Sequence, residues 1–257
     1  MKINLRLLTT SIFFLLMTTT NSNAMPKNLS KTEKQIKTLI PQAEKGDKQA
    51  LDKIYHLALQ DPKISELNSL DQRDSSPFPI LLEDQIEIKS KTNKSGISSV
   101  DRKEMKIGDY SAIAWILYNL NQEPNTPYVY ALAKRMMNIK NVESAQNWYM
   151  TAAMMARIDA SKCEDKTAPQ GILIIESEFS DIKQSLKNQN EFNRALSFAL
   201  DQEEKFKDRP LPKWICSHGI EALSGELKYK DEGIWEKDRM KIRAKQEAKL
   251  SETITQD

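Results

Sequence analysis

The sequence predicts an all-α protein: a short superhelical stack of antiparallel helix hairpins, with a long polar insertion and a charged C-terminal tail. The chain of 257 residues has 7 glycines and is 39% hydrophobic, a composition that suits a globular helical protein. Apolar residues recur at helical spacing along most of it. In residues 145–160, small residues allow close helix approach and aromatic rings fill the groove between neighbouring hairpins.

The first 24 residues predict an export signal. A basic start precedes an apolar run over residues 7–17, and Ser22 and Ala24 occupy the positions that a signal peptidase reads. An uncleaved membrane anchor needs about 18 apolar residues or more, and this run is shorter. We therefore expect a mature chain that begins at Met25, has no membrane span and is periplasmic or secreted.

The charge of the expected mature chain argues against a nucleic-acid partner. Removal of residues 1–24 takes away Lys2 and Arg6 and no acidic residue, so the formal charge falls from +2 to zero. Scattered charges with no net excess give no electrostatic footprint for nucleic acid.

Residues 25–60 predict a pair of helices. Ser30 or Thr32 caps the first helix, and Pro41 is expected to end or kink it because proline lacks a backbone donor. The second helix closes ahead of Pro62, since a residue before proline is driven away from helical angles.

Residues 61–108 change in character. They are rich in polar and turn-forming residues, which predicts a long polar loop or insertion. One apolar island, residues 78–82, either docks on the domain or awaits a partner.

Residues 109–224 predict the helical core. Patterning resumes at Asp109, a plausible cap, and Thr126 with Pro127 is expected to start the next helix, since threonine caps well and proline suits a first turn. That helix is expected to end near Asn138, where a short turn leads into the helix of small and aromatic residues.

The remaining chain predicts two further helices and a tail. Thr167 is expected to begin a helix with apolar residues as far as Leu186, and Asn190 opens another that a proline-rich stretch stops. Residues 225–257 alternate in charge, which indicates either a solvated helix or a disordered tail. Trp235 is the residue expected to pin this tail to the body.

One stretch carries a family resemblance. Its order of Ala145, Trp148-Tyr149 and Ala152-Ala153 resembles the Sel-one-like branch of the tetratricopeptide superfamily, although Ala156 stands where that family has glycine. A second fragment, residues 43–50, is similar to the end of one repeat running into the next. The resemblance implies a concave groove that takes a peptide or protein. The residues expected to pack between helices are Ala145, Trp148, Tyr149, Ala152 and Ala153.

The two cysteines, Cys163 and Cys216, predict a disulfide, since an even number in an exported protein most simply pairs. Two free buried thiols are the alternative. In the chain-entropy model, a bond that closes this loop adds about 4 kcal/mol of stability.

The sequence favours no enzyme, cofactor or metal site. A cysteine hydrolase using Cys216 and His218 would need a special turn, because residues two apart do not share a helix face. With Cys163 added, the set still lacks the paired spacing of zinc ligands.

Residues 157–168 form the predicted partner-binding patch, because they combine one end of the disulfide with a dense polar display; a merely solvated charged face is the alternative. The residues expected to contact a partner are Asp159, Lys162, Asp165 and Lys166. The expected function is that of an exported, non-enzymatic protein that binds a protein or peptide in the bacterial envelope, as an assembly factor or an immunity-type protein. The alternatives are a secreted effector that engages host proteins and a small periplasmic cysteine hydrolase.

Overall fold

The computed structural model describes residues 28–69, 85–92, 98–104, 107–221 and 227–254. In these ranges the fold is mostly helical, which confirms the all-α prediction, and one two-stranded hairpin is the exception. Neither the expected signal peptide nor the apolar island at 78–82 falls within them. None of the helices in the described ranges has the length and apolar character needed to cross a membrane.

The elements follow in chain order. The helices are α1 (Lys31–Glu44), α2 (Lys48–Ala58), α3 (Pro62–Ser69), α4 (Asp109–Gln122), α5 (Thr126–Asn138), α6 (Val142–Lys162), α7 (Gln170–Ser177), α8 (Ser180–Ser185), α9 (Gln189–Lys205), α10 (Lys213–Cys216) and α11 (Glu232–Ile254). The strands β1 (Gln85–Thr92) and β2 (Ser98–Glu104) lie between α3 and α4 and pair antiparallel.

The segment interpreted as a polar loop contains regular structure. Both α3 and the β1–β2 hairpin fall within residues 61–108. The Asp61 carboxylate accepts a hydrogen bond from the Lys63 amide at 3.0 Å, and Pro62 occupies the first turn of α3. The loop alternative is therefore wrong for these stretches, and the insertion alternative stays a prediction. Helix α3 was missed because Asp61 and Pro62, which mark the end of one helix, also start the next.

The start of α1 is as predicted, but its end is not. Ser30 forms a capping box with Glu33, whose amide donates to the Ser30 hydroxyl at 3.1 Å. Pro41 lies inside α1, which continues to Glu44. Of the two alternatives for Pro41, the end of the helix is therefore wrong and the kink stays a prediction.

The α1–α2 and α5–α6 hairpins share one kind of turn. The second residue of each three-residue connection has positive φ, 83° at Gly46 and 64° at Lys140. In each turn, this residue and the next donate backbone hydrogen bonds to the last turn of the preceding helix, the pattern of a Schellman motif. The third residue then caps the next helix, since Asp47 accepts from the Ala50 amide and Asn141 from the Ser144 amide.

Helix α6 is the centre of the molecule. It packs against α5, α9 and α11, and more locally against α7, α8 and α10. The five residues expected between helices, Ala145, Trp148, Tyr149, Ala152 and Ala153, are all buried. Trp148 Nε1 also donates to the Glu44 carboxylate at 2.7 Å, which joins α6 to the end of α1.

The starts of α4 and α5 differ from the prediction. Gly108 and Asn125 hold the cap positions, and Asp109 and Thr126 are already helical. Both side chains are engaged elsewhere: Asp109 accepts from Arg135 at 3.1 Å, and the Thr126 hydroxyl donates to a carboxylate of α6. They do not cap because a tertiary partner competes for the same polar atoms.

The helix expected from Thr167 to Leu186 is two short helices. They are α7 and α8, which meet at the buried Phe179. Leu173 and Ile174 on α7 are exposed, so this apolar run is not simply a buried face. The charged tail contains the long helix α11, which packs on α6 and α9.

Candidate functional site

An open groove lies between α6, α9 and α11, with a cavity volume of about 560 Å³. Its apolar floor is formed by Tyr149, Met150 and Ala153 of α6, together with Phe192 of α9 and Ile242 of α11. We call this feature the α6/α11 groove.

The α6/α11 groove follows a division in the hydrophobic interior. Tyr149 and Ala153 belong to the main core, whereas Met150, Phe192 and Ile242 pack on a second, smaller cluster. The latter three side chains are only partly buried. Leu186, which packs on the main core, also lines the groove and is partly buried, so partly exposed apolar side chains associated with both clusters face the groove.

The rim of the groove is cationic. Arg157, Lys183, Lys245 and Lys249 line it, and no Asp or Glu of the described residues does. Glu176 lies outside the lining and pairs with both Arg157 and Lys183, at 3.3 Å each. One carboxylate shared by two cations leaves the rim with an excess of positive charge.

Tyr149 gives the groove a neutral polar group. Burial raises the pKa of its hydroxyl, and the nearby Glu176 carboxylate adds to that increase. The Lys183 ammonium lies 6.0 Å from the centre of the Tyr149 ring. At neutral pH this phenol is protonated, so it is available to donate to an acceptor in the groove.

A buried charge network holds α11 in place as one wall. Arg239 of α11 donates to Glu203 of α9 at 3.0 and 2.9 Å, and Arg243 donates to the same carboxylate at 2.7 Å. Burial alone would raise the pKa of Glu203, but these hydrogen bonds outweigh it and the pKa is lowered. Glu203 is therefore ionised at neutral pH, and its bonds to Arg239 and Arg243 position α11 against α9.

Lys162 contributes a second contact to α11. Its side chain is buried, and its ammonium lies 4.4 Å from the ring centre of Trp235. Burial lowers the pKa of Lys162, and the nearby Arg209 guanidinium lowers it further. Trp235 therefore does lie against the body of the protein.

The predicted partner-binding patch is mostly interior. Asp159 accepts from the Thr126 hydroxyl at 2.6 Å, from Arg209 at 2.8 Å and from the Trp214 indole at 3.0 Å. It is 2% exposed and Lys162 is 1% exposed. These two side chains bind neighbouring helices and loops, so the prediction of an exposed display is wrong for them.

Asp165 is also buried, and Lys166 is exposed. The Asp165 carboxylate accepts from the Thr167 hydroxyl at 2.6 Å, from its amide at 2.7 Å and from the Glu221 amide at 2.8 Å. These bonds, led by the Thr167 hydroxyl, lower the pKa of Asp165. Gly219 packs so tightly on this carboxylate that a Cβ there would clash with it. Of the four predicted residues only Lys166 keeps its side chain at the surface.

The predicted disulfide is present. Cys163 and Cys216 are bonded, with their Cα atoms 5.4 Å apart, which ties the end of α6 to α10. The Cys216 sulfur is therefore not available as a thiolate nucleophile. His218 is exposed, and its Nδ1 lies 2.7 Å from the Trp214 carbonyl.

A metal or cofactor site was not expected from the sequence. In the part of the chain that the structure describes, no group of three or more His, Cys, Asp or Glu side chains is arranged to hold a metal ion.

The groove itself was missed in the sequence, although α11 carried a signal for it. Trp235, Arg239, Ile242, Gln246 and Lys249 recur at helical spacing, which marks one face of the tail as a packing face. Because the first two contact the body and the last three line the groove, that face both docks α11 and builds the site.

Comparison with known proteins gives no relative. The chain matches no family model, no curated protein and no solved structure.

Proposed function

We propose that this chain is an exported, non-enzymatic protein of the bacterial envelope that binds a protein or peptide partner, as an assembly factor or an immunity-type protein. The α6/α11 groove is its binding site. The observation that carries the proposal is the partly exposed apolar floor of this groove between two hydrophobic clusters, framed by cations. Concave, mostly apolar surfaces with a few polar groups are typical binding sites.

The repeated turn supports the proposed class of scaffold. The α1–α2 and α5–α6 hairpins have the same three-residue connection, with positive φ at Gly46 and Lys140. In this alignment Ile54-Tyr55 corresponds to Trp148-Tyr149, and Ala58 to Ala152. We propose that these hairpins are tetratricopeptide-like or Sel-one-like units of a short superhelical stack.

The disulfide is compatible with the proposed location. Cytosolic thiols are kept reduced, whereas disulfides persist in the periplasm and outside the cell. Cell fractionation and mass spectrometry of the exported chain test this part of the proposal. We expect an N-terminus at Met25, and a protein that retains Met1 in the membrane would contradict it.

In-cell photo-crosslinking tests the binding function. A photoreactive amino acid replaces Met150 in the groove floor, and in a matched variant it replaces Lys237, an exposed residue of α11 that does not line the groove. We expect a discrete adduct only from position 150, and digestion with protease should remove it. Mass spectrometry then identifies the partner, and the purified pair should bind in a titration.

Two results would contradict the proposed function. One is the absence of any protein adduct at position 150 under conditions where the protein is folded. The other is an equal set of adducts from positions 150 and 237, since it would mean that the groove is not a preferred contact.

A further inference from the structure

The charges around the α6/α11 groove indicate the chemistry of its occupant. Of its four lining cations, Arg157 and Lys183 already share the Glu176 carboxylate. Lys245 is exposed and forms no ion pair among the described residues. Since no carboxylate of the described residues lines the groove, acidic groups of an occupant would complete its electrostatics.

The apolar floor limits the occupant further. Met150, Phe192 and Ile242 are partly exposed, and they face the groove from three different helices. A purely acidic, fully polar segment would leave this apolar floor exposed to water. An occupant that joins the two hydrophobic clusters must therefore carry apolar side chains on one face and carboxylates beside them.

The shape of the lining favours a helix. On α6 the groove runs from Tyr149 to Arg157, and on α11 from Ile242 to Lys249. Each run covers about two helical turns, or roughly 11 to 12 Å. Faces of two helices at this length form a trough that accepts the apolar face of a third amphipathic helix, with contacts at i, i+3, i+4 and i+7.

We propose that the α6/α11 groove binds an acidic amphipathic helix of the partner protein. Its apolar side chains pack on Met150, Phe192 and Ile242, and its carboxylates face the cationic rim, with Lys245 as the principal ion-pair partner. This inference rests on the proposed function and specifies the partner segment.

A synthetic probe tests the inference on the purified full-length protein. The probe is a fluorescein-labelled helix of about 14 residues with leucine at i, i+3, i+4 and i+7 and glutamate on both flanks. Three control ligands are tested in the same way: the same helix with lysine for glutamate, the acidic peptide with a central proline, and sodium oleate. We expect the acidic helix to bind at least about tenfold more tightly than each control ligand.

A charge-reversed pair of variants locates the binding. Lys245→Glu with Lys249→Glu reverses the rim, and Lys237→Glu with Lys241→Glu makes the same net change on exposed residues of α11 outside the groove. Thermal unfolding checks that both variants fold. We expect the first pair to weaken binding of the acidic helix by about tenfold or more and the second pair to leave it nearly unchanged.

The outcomes separate the inference from the proposed function. If the acidic helix fails to bind, if the proline peptide or oleate binds as well, or if both variant pairs weaken binding equally, the inference is overturned. A specific adduct at position 150 whose partner segment is basic overturns the acidic helix and leaves the binding function intact. No specific adduct at position 150 overturns the function itself.

Discussion

The α1–α2 and α5–α6 hairpins begin alike and end differently. Both use the same turn, and their second helices bury equivalent positions, Ile54 and Trp148, then Ala58 and Ala152. Helix α2 ends at that alanine after 11 residues, whereas α6 has 21 residues and runs on to Lys162.

The additional length of α6 carries the specialised features of the molecule. Residues 153–162 include the groove residue Arg157, the buried carboxylate of Asp159 and the buried amine of Lys162, and Cys163 follows them directly. The shared portion of the two hairpins accounts for helix packing. The comparison teaches that the common part builds the scaffold and begins the groove floor at Tyr149 and Met150, and that the extension adds a rim cation and the buried contacts that support the site.

The largest expected effect is at Asp159. Asp159→Asn removes the buried negative charge that Arg209 binds, and its amide nitrogen must face one of the two donors, Arg209 or Trp214. We therefore expect a loss of about 3 to 5 kcal/mol in the free energy of unfolding. Urea unfolding measures it. Asp52→Asn on the exposed side of α2 is the matched control and should change stability by less than about 0.5 kcal/mol. Equal losses of stability in the two variants would contradict the conclusion that the extension of α6 contains the buried charge contacts.

Next is the disulfide. Cys163→Ser with Cys216→Ser should lower the free energy of unfolding by about 4 kcal/mol, since it releases a long closed loop in the unfolded chain. Hydrogen exchange on the variant should show faster local opening at the end of α6 and in α10, and little change in local opening of α1 and α2. Uniform loss of protection would show that the hairpins unfold as one unit.

Overpacking should harm both hairpins similarly. Ala58→Trp and Ala152→Trp each place a large ring at a fully buried contact between helices, which costs about 1 to 3 kcal/mol of stability. Thermal unfolding of the two variants measures the effect. If one variant melts like the parent, the proposed correspondence between the hairpins fails.

The smallest effects are of opposite sign at the two turns. Gly46→Ala should lower stability by about 1 kcal/mol through backbone strain alone, because a Cβ there meets nothing closer than Asn121 Oδ1 at 3.9 Å. Lys140→Gly should raise stability by about 0.5 to 1 kcal/mol, since it relieves the same strain. Lys140→Ala keeps positive φ and should give no such gain. Unfolding in urea distinguishes the three.

The sequence predicted features that depend on neighbouring residues. The cap of α1, predicted at Ser30 or Thr32, the turn at 139–141 and the cysteine pair all follow from local rules or parity. It missed the pairing of Glu203 with Arg239, because which charged residues meet across helices is decided by tertiary packing. A charge-rich tail is expected to be solvated when it is considered by itself. One face of α11 becomes a wall of the groove because α9 packs against it.

The end of α6 is also a meeting point of distant stretches of the chain. Cys163 is bonded to Cys216 and forms a backbone bridge with Tyr229, while the Lys230 amide donates to the Lys162 carbonyl at 2.9 Å. Contacts that close such long loops form later than local hairpins. We therefore expect the α1–α2 and α5–α6 hairpins to form before α11 docks on α6 and α9. A groove wall that docks late would tie the proposed partner binding to the folded state of this end of the molecule.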